Sequence, residues 1–399
     1  MPDSADAIAA PDAPHSSPHE EIRCIEIDLS RLDPAVTEED EQAFARINDL
    51  TLSPQQVERI LNPQHTYPRQ EYVLATHWHP EHVPLELLKK RIDALYPNRV
   101  GELIIPTQHN VLMEYDGYYG VEVDCYSSGF NRKVQLLLHF KGLDWQRADV
   151  LHSMLHHTHR YRASQLFEYL DALCEPAFEA RRQCAAGRTN AEEELVAFVG
   201  IQAAKLKRLI LAHESDLPDD AYKNKLVRNF FDTLRSRFAD RVVNKAQVYA
   251  KAVKDLVKEA FSLSYFYRAS EVIEEARSLG AGVVIPHPEQ FWPILLADYD
   301  VDGIEVWNPQ SQQYTEFLIN VVNRRNRMGW HGKRPILVFM GDDCHMSEKT
   351  RDPAEQDPEK AAREIGLQPA WHDYAIRKSL IINGVSRRKV ISEYRDRLG

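Results

Sequence analysis

The sequence predicts an α/β fold, a barrel or a wound sheet, and three observations predict it. Seven apolar runs of strand length lie between residues 72 and 342: YVLAT (72–76), ELIIP (102–106), YGVEV (119–123), VQLLL (134–138), GVVIP (282–286), GIEVW (303–307) and ILVFM (336–340). Several are followed by helical patterns such as VPLELLKKRIDAL, the alternation that builds sheets flanked by helices. Histidines and acidic residues fall on or just beyond six of the seven runs. In barrels and open α/β sheets, functional groups gather at the carboxyl ends of strands.

Each stretch can be assigned in order. Residues 1–20, rich in Ala, Pro, Asp and Ser, read as a disordered tail. Residues 21–70 read as an extension packed on the barrel, with a short strand over 22–29. A helix opens there at Ser53-Pro54, where Ser caps and Pro suits the first turn. Residues 71–142 carry the first four apolar runs. Only SSGFNRK and its neighbours separate the third run from the fourth, a hairpin length too short for a crossover helix. From 143 to 279 the pattern is strongly helical, which predicts a helical insertion between the fourth and fifth strands. Residues 280–399 hold the remaining runs and one or two closing helices.

Composition narrows the function classes. The chain is 399 residues long, 43% hydrophobic and 27% charged, ordinary for a globular protein. No run approaches the roughly 20 apolar residues of a membrane span, and no basic segment leads into an apolar one at the N-terminus. Five scattered cysteines without CxxC spacing fit reduced thiols, so a cytoplasmic protein is expected. A formal charge of −11 disfavours broad binding to duplex nucleic acid. It does not disfavour a phosphorylated substrate, because divalent ions would locally reverse the sign.

The chemistry-bearing residues recur in one order. His77 and His79 follow the first run, and His109 follows the second. Glu122 lies within the third, His139 ends the fourth, and His287 follows the fifth. Asp343 and His345 follow the last. Imidazole and carboxylate suit Zn, Mn or Fe, and a carboxylate can bridge two ions. Two such ions can activate a water and stabilise both oxygens of a phosphoryl transfer.

This ordered set resembles the PHP (polymerase and histidinol phosphatase) metal-dependent phosphoesterases. The family's HxH is similar to His77-Trp78-His79, its TDH to Thr107-Gln108-His109, its PGxE to Gly120-Val121-Glu122 and its HxLxY element to His139-Phe140. Its AHP resembles Pro286-His287-Pro288, its DGIEVYN resembles residues 302–308, and its GSDxH resembles Gly341-Asp342-Asp343-Cys344-His345. The resemblance covers roughly 72–141 and 281–346. It implies a distorted (β/α)7 barrel holding two or three divalent metal ions. By it, His77, His79, Glu122 and Asp343 hold one metal, and Glu122 bridges to a second held by His139 and His287. His109 and His345 hold a third, with His82, or alternatively Glu81, as its further ligand. It also implies hydrolysis of a phosphomonoester, nucleotide or short oligonucleotide by metal-activated water, with Glu122, His287 and Asp343 essential. The Asp that usually precedes HxH is replaced, with Ala75 and Thr76 in that neighbourhood, and about 70 residues precede the motif.

Other readings stand beside this one. Residues 76–82, THWHPEH, also resemble the THxHxDH loop of metallo-β-lactamase-fold hydrolases. The barrel could instead be a catalytically silent metal-binding scaffold, its helical insertion a docking module for a partner. Within the insertion, His157 and Arg160 are candidates to bind the substrate phosphate, against a plain surface role for the group His152, His156, His157 and His159. Lys251, Lys254 and Lys258 read as a solvated helix face. Glu305 reads as a structural or supporting residue rather than a ligand.

Overall fold

The computed structural model describes residues 27–218, 221–329, 334–354 and 356–398. The tail expected over residues 1–20 lies outside them, as does most of the strand expected over 22–29. The described end of that strand is a 3-10 turn instead, Leu29–Arg31, capped by the Asp28 carboxylate. Two helices follow, α1 (Glu38–Asn48) and α2 (Pro54–Leu61). Each opens on a capping box, built on Thr37 and Ser53, which satisfies the free amides of the first turn.

The next elements are β1 (Tyr72–Ala75), β2 (Trp78–His79), α3 (Leu85–Leu95), β3 (Gly101–Ile104), β4 (Met113–Tyr115), β5 (Tyr118–Ser127) and β6 (Arg132–Lys141). A helical stretch separates them from the remaining strands: α4 (Asp149–Cys174), α5 (Glu179–Thr189), α6 (Glu193–Ala212), α7 (Lys225–Thr233), α8 (Asp240–Ala260) and α9 (Ala269–Ser278). Then come β7 (Gly282–Ile285), β8 (Gly303–Trp307), α10 (Thr315–Met328), β9 (Leu337–Met340) and β10 (Cys344–His345). Two short helices, α11 (Ser347–Thr350) and α12 (Pro358–Ala361), precede the closing pair α13 (Tyr374–Ile382) and α14 (Arg387–Arg397).

The fold is mixed α/β. Strands β4-β5-β6-β7-β8-β9 form one sheet in that order, while β1 pairs with β3 and β2 with β10, both parallel. No closed barrel forms among the described residues. The short link between β5 and β6 forces those two strands to run antiparallel, and β6 meets β7 antiparallel as well. Parallel pairing returns only from β7 to β9. Single bonds nevertheless tie the separate sheets together. The Asp343 amide donates to the His77 carbonyl, and His109 bridges Glu122. These ties bring the ends of several strands to one place.

Three apolar cores support this arrangement, the smallest joining Ile60 of α2, Leu88 and Ile92 of α3, and Val73 and Trp78 of β1 and β2. In the first, Val283, Val284, Ile304, Val306 and Phe339 of the sheet pack with Val272, Leu318 and Tyr394 of α9, α10 and α14. Covered on both faces, β7, β8 and β9 are buried throughout instead of alternating, with Glu305 their one charged residue. The second lies among the helices and joins Leu170 of α4, Phe198 of α6, Phe230 and Phe231 of α7, and Tyr249 of α8 to Phe44 of α1. The N-terminal helices thus divide: α1 packs on the helical core, and α2 packs on α3 and α11. No helix among the described residues is long and apolar enough to cross a membrane.

Candidate metal centre

The register of the short strands assembles the site. β2 pairs with β10 so that His79 stands beside His345, and their rings stack at 4.2 Å. His109 also stacks on His79, at 4.3 Å, and stands 5.8 Å from His345, so the three rings cluster together. The bridge between His109 and Glu122 sets the Glu122 carboxylate against the histidines from the opposite side. His287 leaves β7 at a φ of 26°, and Asp343 leaves β9 at 44°. Left-handed backbone at non-glycine residues is strained, and such strain concentrates at functional sites.

Three overlapping groups of ligand atoms result: His77, Glu122 and His287; His77, His79 and Asp343; and His79, His109 and His345. Apart from His287 Nε2, which lies within hydrogen-bonding distance of Glu122 Oε1 at 3.3 Å, the nitrogens and oxygens within them are close without being bonded. His77 Nε2 lies 3.8 Å from both Glu122 Oε1 and Asp343 Oδ1. His79 Nε2 lies 3.7 Å from Glu122 Oε2 and 3.6 Å from Asp343 Oδ1. His345 Nε2 stands 3.5 Å from Asp343 Oδ1. Two ligands held at about 2.0–2.2 Å in a tetrahedral shell stand roughly 3.3–3.6 Å apart, so these gaps suit an ion between the groups. His77 Nε2, both ring nitrogens of His79 and His287 Nδ1 are buried with no hydrogen-bond partner among the described residues. Buried polar atoms are ordinarily bonded, and a metal would account for the exceptions. The donor set fits divalent ions.

No family model matches the chain, and no curated protein matches it. Among solved structures, a protein from Bifidobacterium adolescentis, provisionally described as a metal-dependent phosphoesterase, aligns with 81% of this chain and 98% of its own. The identity is 15% and the TM-score 0.37. Likeness this loose carries no argument, and the case rests on the residues.

The charges of the site are tightly balanced. Burial disfavours a charged His77, yet the neighbouring carboxylates of Glu305, Glu122 and Asp343 hold its pKa up at about 10. Burial, with His345 and His109 beside it, pushes His79 down to about 3 and keeps it neutral, whereas His77 would release its Nε2 proton on binding a metal. Glu122 and Asp343 stay ionised well below the ordinary carboxylate range despite burial, because His109 and His287 face the one and His345 and His79 the other. Glu305 supports the ligands from beneath. Its Oε1 lies 2.7 Å from His77 Nδ1 and its Oε2 accepts the His287 amide at 3.0 Å. This carboxylate-to-histidine contact fixes the ring so that Nε2 faces the centre. A side chain at position 341 would collide with the Glu305 carboxylate, which is why the residue there is Gly.

The centre draws together His77, His79, His109, Glu122, His287, Asp343 and His345, and it leaves out four expected residues. His139 is corrected: β6 runs antiparallel, so its carboxyl end sits opposite Gly282 at the start of β7 and not beside His287 at the end. Both its nitrogens are engaged, Nδ1 with the Tyr394 hydroxyl at 2.7 Å and Nε2 with the Thr76 carbonyl at 2.9 Å. His82 lies outside the three groups. The neighbouring Glu81 instead turns inward at a φ of 53°, with Oε1 3.3 Å from His345 Nδ1 and Oε2 accepting the Ser347 amide. His157 is exposed and donates to the Tyr265 carbonyl at 2.7 Å. Arg160 is exposed on α4, whereas Arg162, two residues on, binds Asp124, two residues past Glu122 on β5. Sequence reasoning missed Gln310 and Arg363, both bonded to Asp343 Oδ2 at 2.9 Å. Neither lies in a recognisable motif.

Proposed function

We propose that this chain is a metal-dependent phosphoesterase acting on a phosphomonoester, nucleotide or short oligonucleotide. One observation carries the reading. Imidazoles and carboxylates from five separated stretches meet with buried nitrogens unpartnered and gaps of the width an ion spans. His77, His79, Glu122 and Asp343 would hold one ion, and Glu122 with His287 would reach a second. His109 and His345, with Glu81 rather than His82 beside them, would reach a third. Bound divalent ions, Zn, Mn or Fe, would supply an acidified water and offset charge on the phosphoryl oxygens. The chain's own part is to keep His79 neutral, to orient His77 through Glu305, and to hold Glu122 and Asp343 ionised. The ordered motifs are the ground for reading the strands as a distorted PHP-type barrel. The helices over residues 143–279 are then an insertion beside the site, where specificity would reside. The metallo-β-lactamase reading of THWHPEH loses support, since it requires His82 as a ligand.

The test is a screen of metal-loaded protein against p-nitrophenyl phosphate, bis-p-nitrophenyl phosphate and short RNA or DNA oligonucleotides. At least one is expected to be cleaved, with E122A and H287A folded but reduced at least about 1,000-fold, a loss set by the transition-state charge they help to balance. Metal binding without cleavage of any of them would favour the silent scaffold. Full activity in either variant would refute the assignment.

A further inference from the structure

The segment after the last strands does more than close the fold. Residues 363–368 form a strap whose backbone is bonded along its length. The Gly366 amide donates to Asp342 Oδ2 at 2.8 Å, and the Gly366 carbonyl accepts from Gln70 Nε2 at 3.0 Å. The Ile365 carbonyl accepts from the Tyr96 hydroxyl at 2.8 Å, and Gln368 reaches the Leu74 carbonyl at 2.6 Å. Next to Arg363, Glu364 pairs with Arg91 at 2.6 Å and with Lys349 at 2.8 Å, all three side chains nearly buried. Gly366 sits at a φ of 75°, where a side chain would also strike Val73. The strap is therefore anchored independently of any metal.

Arg363 is the residue this strap delivers. Its NH1 donates both to Asp343 Oδ2 at 2.9 Å and to the Asp343 carbonyl at 3.0 Å. Its side chain is only 8% exposed. Gln310, arriving from the loop after β8, donates Nε2 to the same Oδ2 at 2.9 Å. The two oxygens of Asp343 consequently face different worlds. Oδ2 is saturated by a guanidinium and an amide, while Oδ1 points at His77, His79 and His345 from 3.5–3.8 Å.

We infer that Arg363 is a positioning residue for the metal centre, holding Asp343 through Oδ2 and its carbonyl so that Oδ1 alone is offered to an ion. The inference rests on the metal-centre reading of the site. Arg363 does not touch the ion or the substrate. It acts through Asp343, a residue whose left-handed backbone would otherwise be free to relax. Supporting contacts of this kind, when lost, typically weaken metal binding 10–100-fold.

The experiment is a Co2+ titration of the full chain, followed by its visible d–d absorption and by competition with a chromophoric chelator, on wild type, R363Q and R363K. The melting temperature of each metal-free protein is measured alongside. R363Q is expected to melt near wild type, to bind Co2+ about 10–100-fold more weakly, and to shift the absorption bands as the carboxylate changes mode. R363K, which keeps one charged donor, is expected to recover part of the affinity. Wild-type affinity and an unshifted spectrum in R363Q overturn the inference while leaving the metal centre standing. A wild type that binds no Co2+ overturns both. A wild type that binds Co2+ but cleaves no phosphoester sinks the proposed activity alone, since the positioning role is read from the ion.

Discussion

Two buried charged groupings in this molecule, one built on a carboxylate with Lys and Arg and the other on histidines with carboxylates, differ in how fully the fold partners them. In the helical layer, Asp40 of α1 is fully buried between Lys205 of α6 and Arg237. Lys205 Nζ reaches Oδ2 at 2.7 Å, Arg237 NH2 reaches Oδ1 at 2.7 Å, and Thr37 bonds Oδ2 through both its amide and its hydroxyl. Both carboxylate oxygens are partnered. At the strand ends, by contrast, His79 has neither nitrogen bonded, and His77 and His287 each keep one nitrogen unpartnered. A buried polar group costs free energy unless it is bonded, so folding explains the first grouping and leaves the second unexplained. The difference teaches where to look for chemistry: among buried groups whose valences the fold leaves open.

The comparison breaks most visibly through mutation of each grouping in metal-free protein. D40N leaves the buried Lys205 and the partly buried Arg237 without this counter-charge, and about 3 kcal/mol of stability should be lost. That is a substantial share of a typical domain's total. E122Q should cost metal-free protein less than D40N does, because Gln keeps an oxygen and an amide toward His109 and His287 and loses only the charge that faces those imidazoles. What E122Q should abolish is the rise in melting temperature on adding metal, worth about 2.7 kcal/mol at a hundredfold excess over Kd. Chemical denaturation and thermal melts with and without Mn2+ read both. Equal stability losses in the two variants would mean that the strand-end grouping is structural after all.

Much of the contrast was legible in the sequence, for identifiable reasons. Histidines just past apolar runs announce strand ends, so the seven residues that meet at the centre could be named from periodicity and motif order. The α2 start was readable because Ser53-Pro54 is a local signal. His139 was not readable in the same way: its position after a run looks equivalent to that of His287 until the strand's direction is known. The tight link between β5 and β6 was the available clue to that direction. His82 was lost to backbone conformation, since the left-handed turn at Glu81 sends the carboxylate inward. Arg363 and Gln310 were illegible because their roles exist only across pairs 20 and 33 residues apart in the chain. The α/β class was legible, whereas the antiparallel run of β6 interrupts the β/α alternation and no closed barrel forms among the described residues.

A finer test asks whether Glu305 belongs to the open grouping or merely lies beneath it. It contacts His77 and the His287 amide and has no ligand atom in the three groups. E305Q keeps the shape and one hydrogen bond but removes the charge that holds the His77 ring. A 10–100-fold fall in Mn2+ or Zn2+ affinity is expected, with fold and melting temperature of the metal-free protein nearly kept. Unchanged affinity would assign Glu305 to packing alone.

The smallest effect sharpens the closed grouping instead. Burial favours a neutral Asp40, but Lys205 and Arg237 outweigh it and bring its pKa from an ordinary 3.8 down to about 2. A carboxylate whose pKa is depressed on folding adds stability that is complete above its unfolded value and fades as pH falls through the folded one. The stability gap between wild type and D40N should therefore be constant at neutral pH and narrow between pH 3.8 and about 2. Urea titrations at successive pH values in that window measure it. A gap that stays constant down to pH 2 would mean that Asp40 keeps no special hold on its charge, and that the two groupings differ less than their hydrogen bonds indicate.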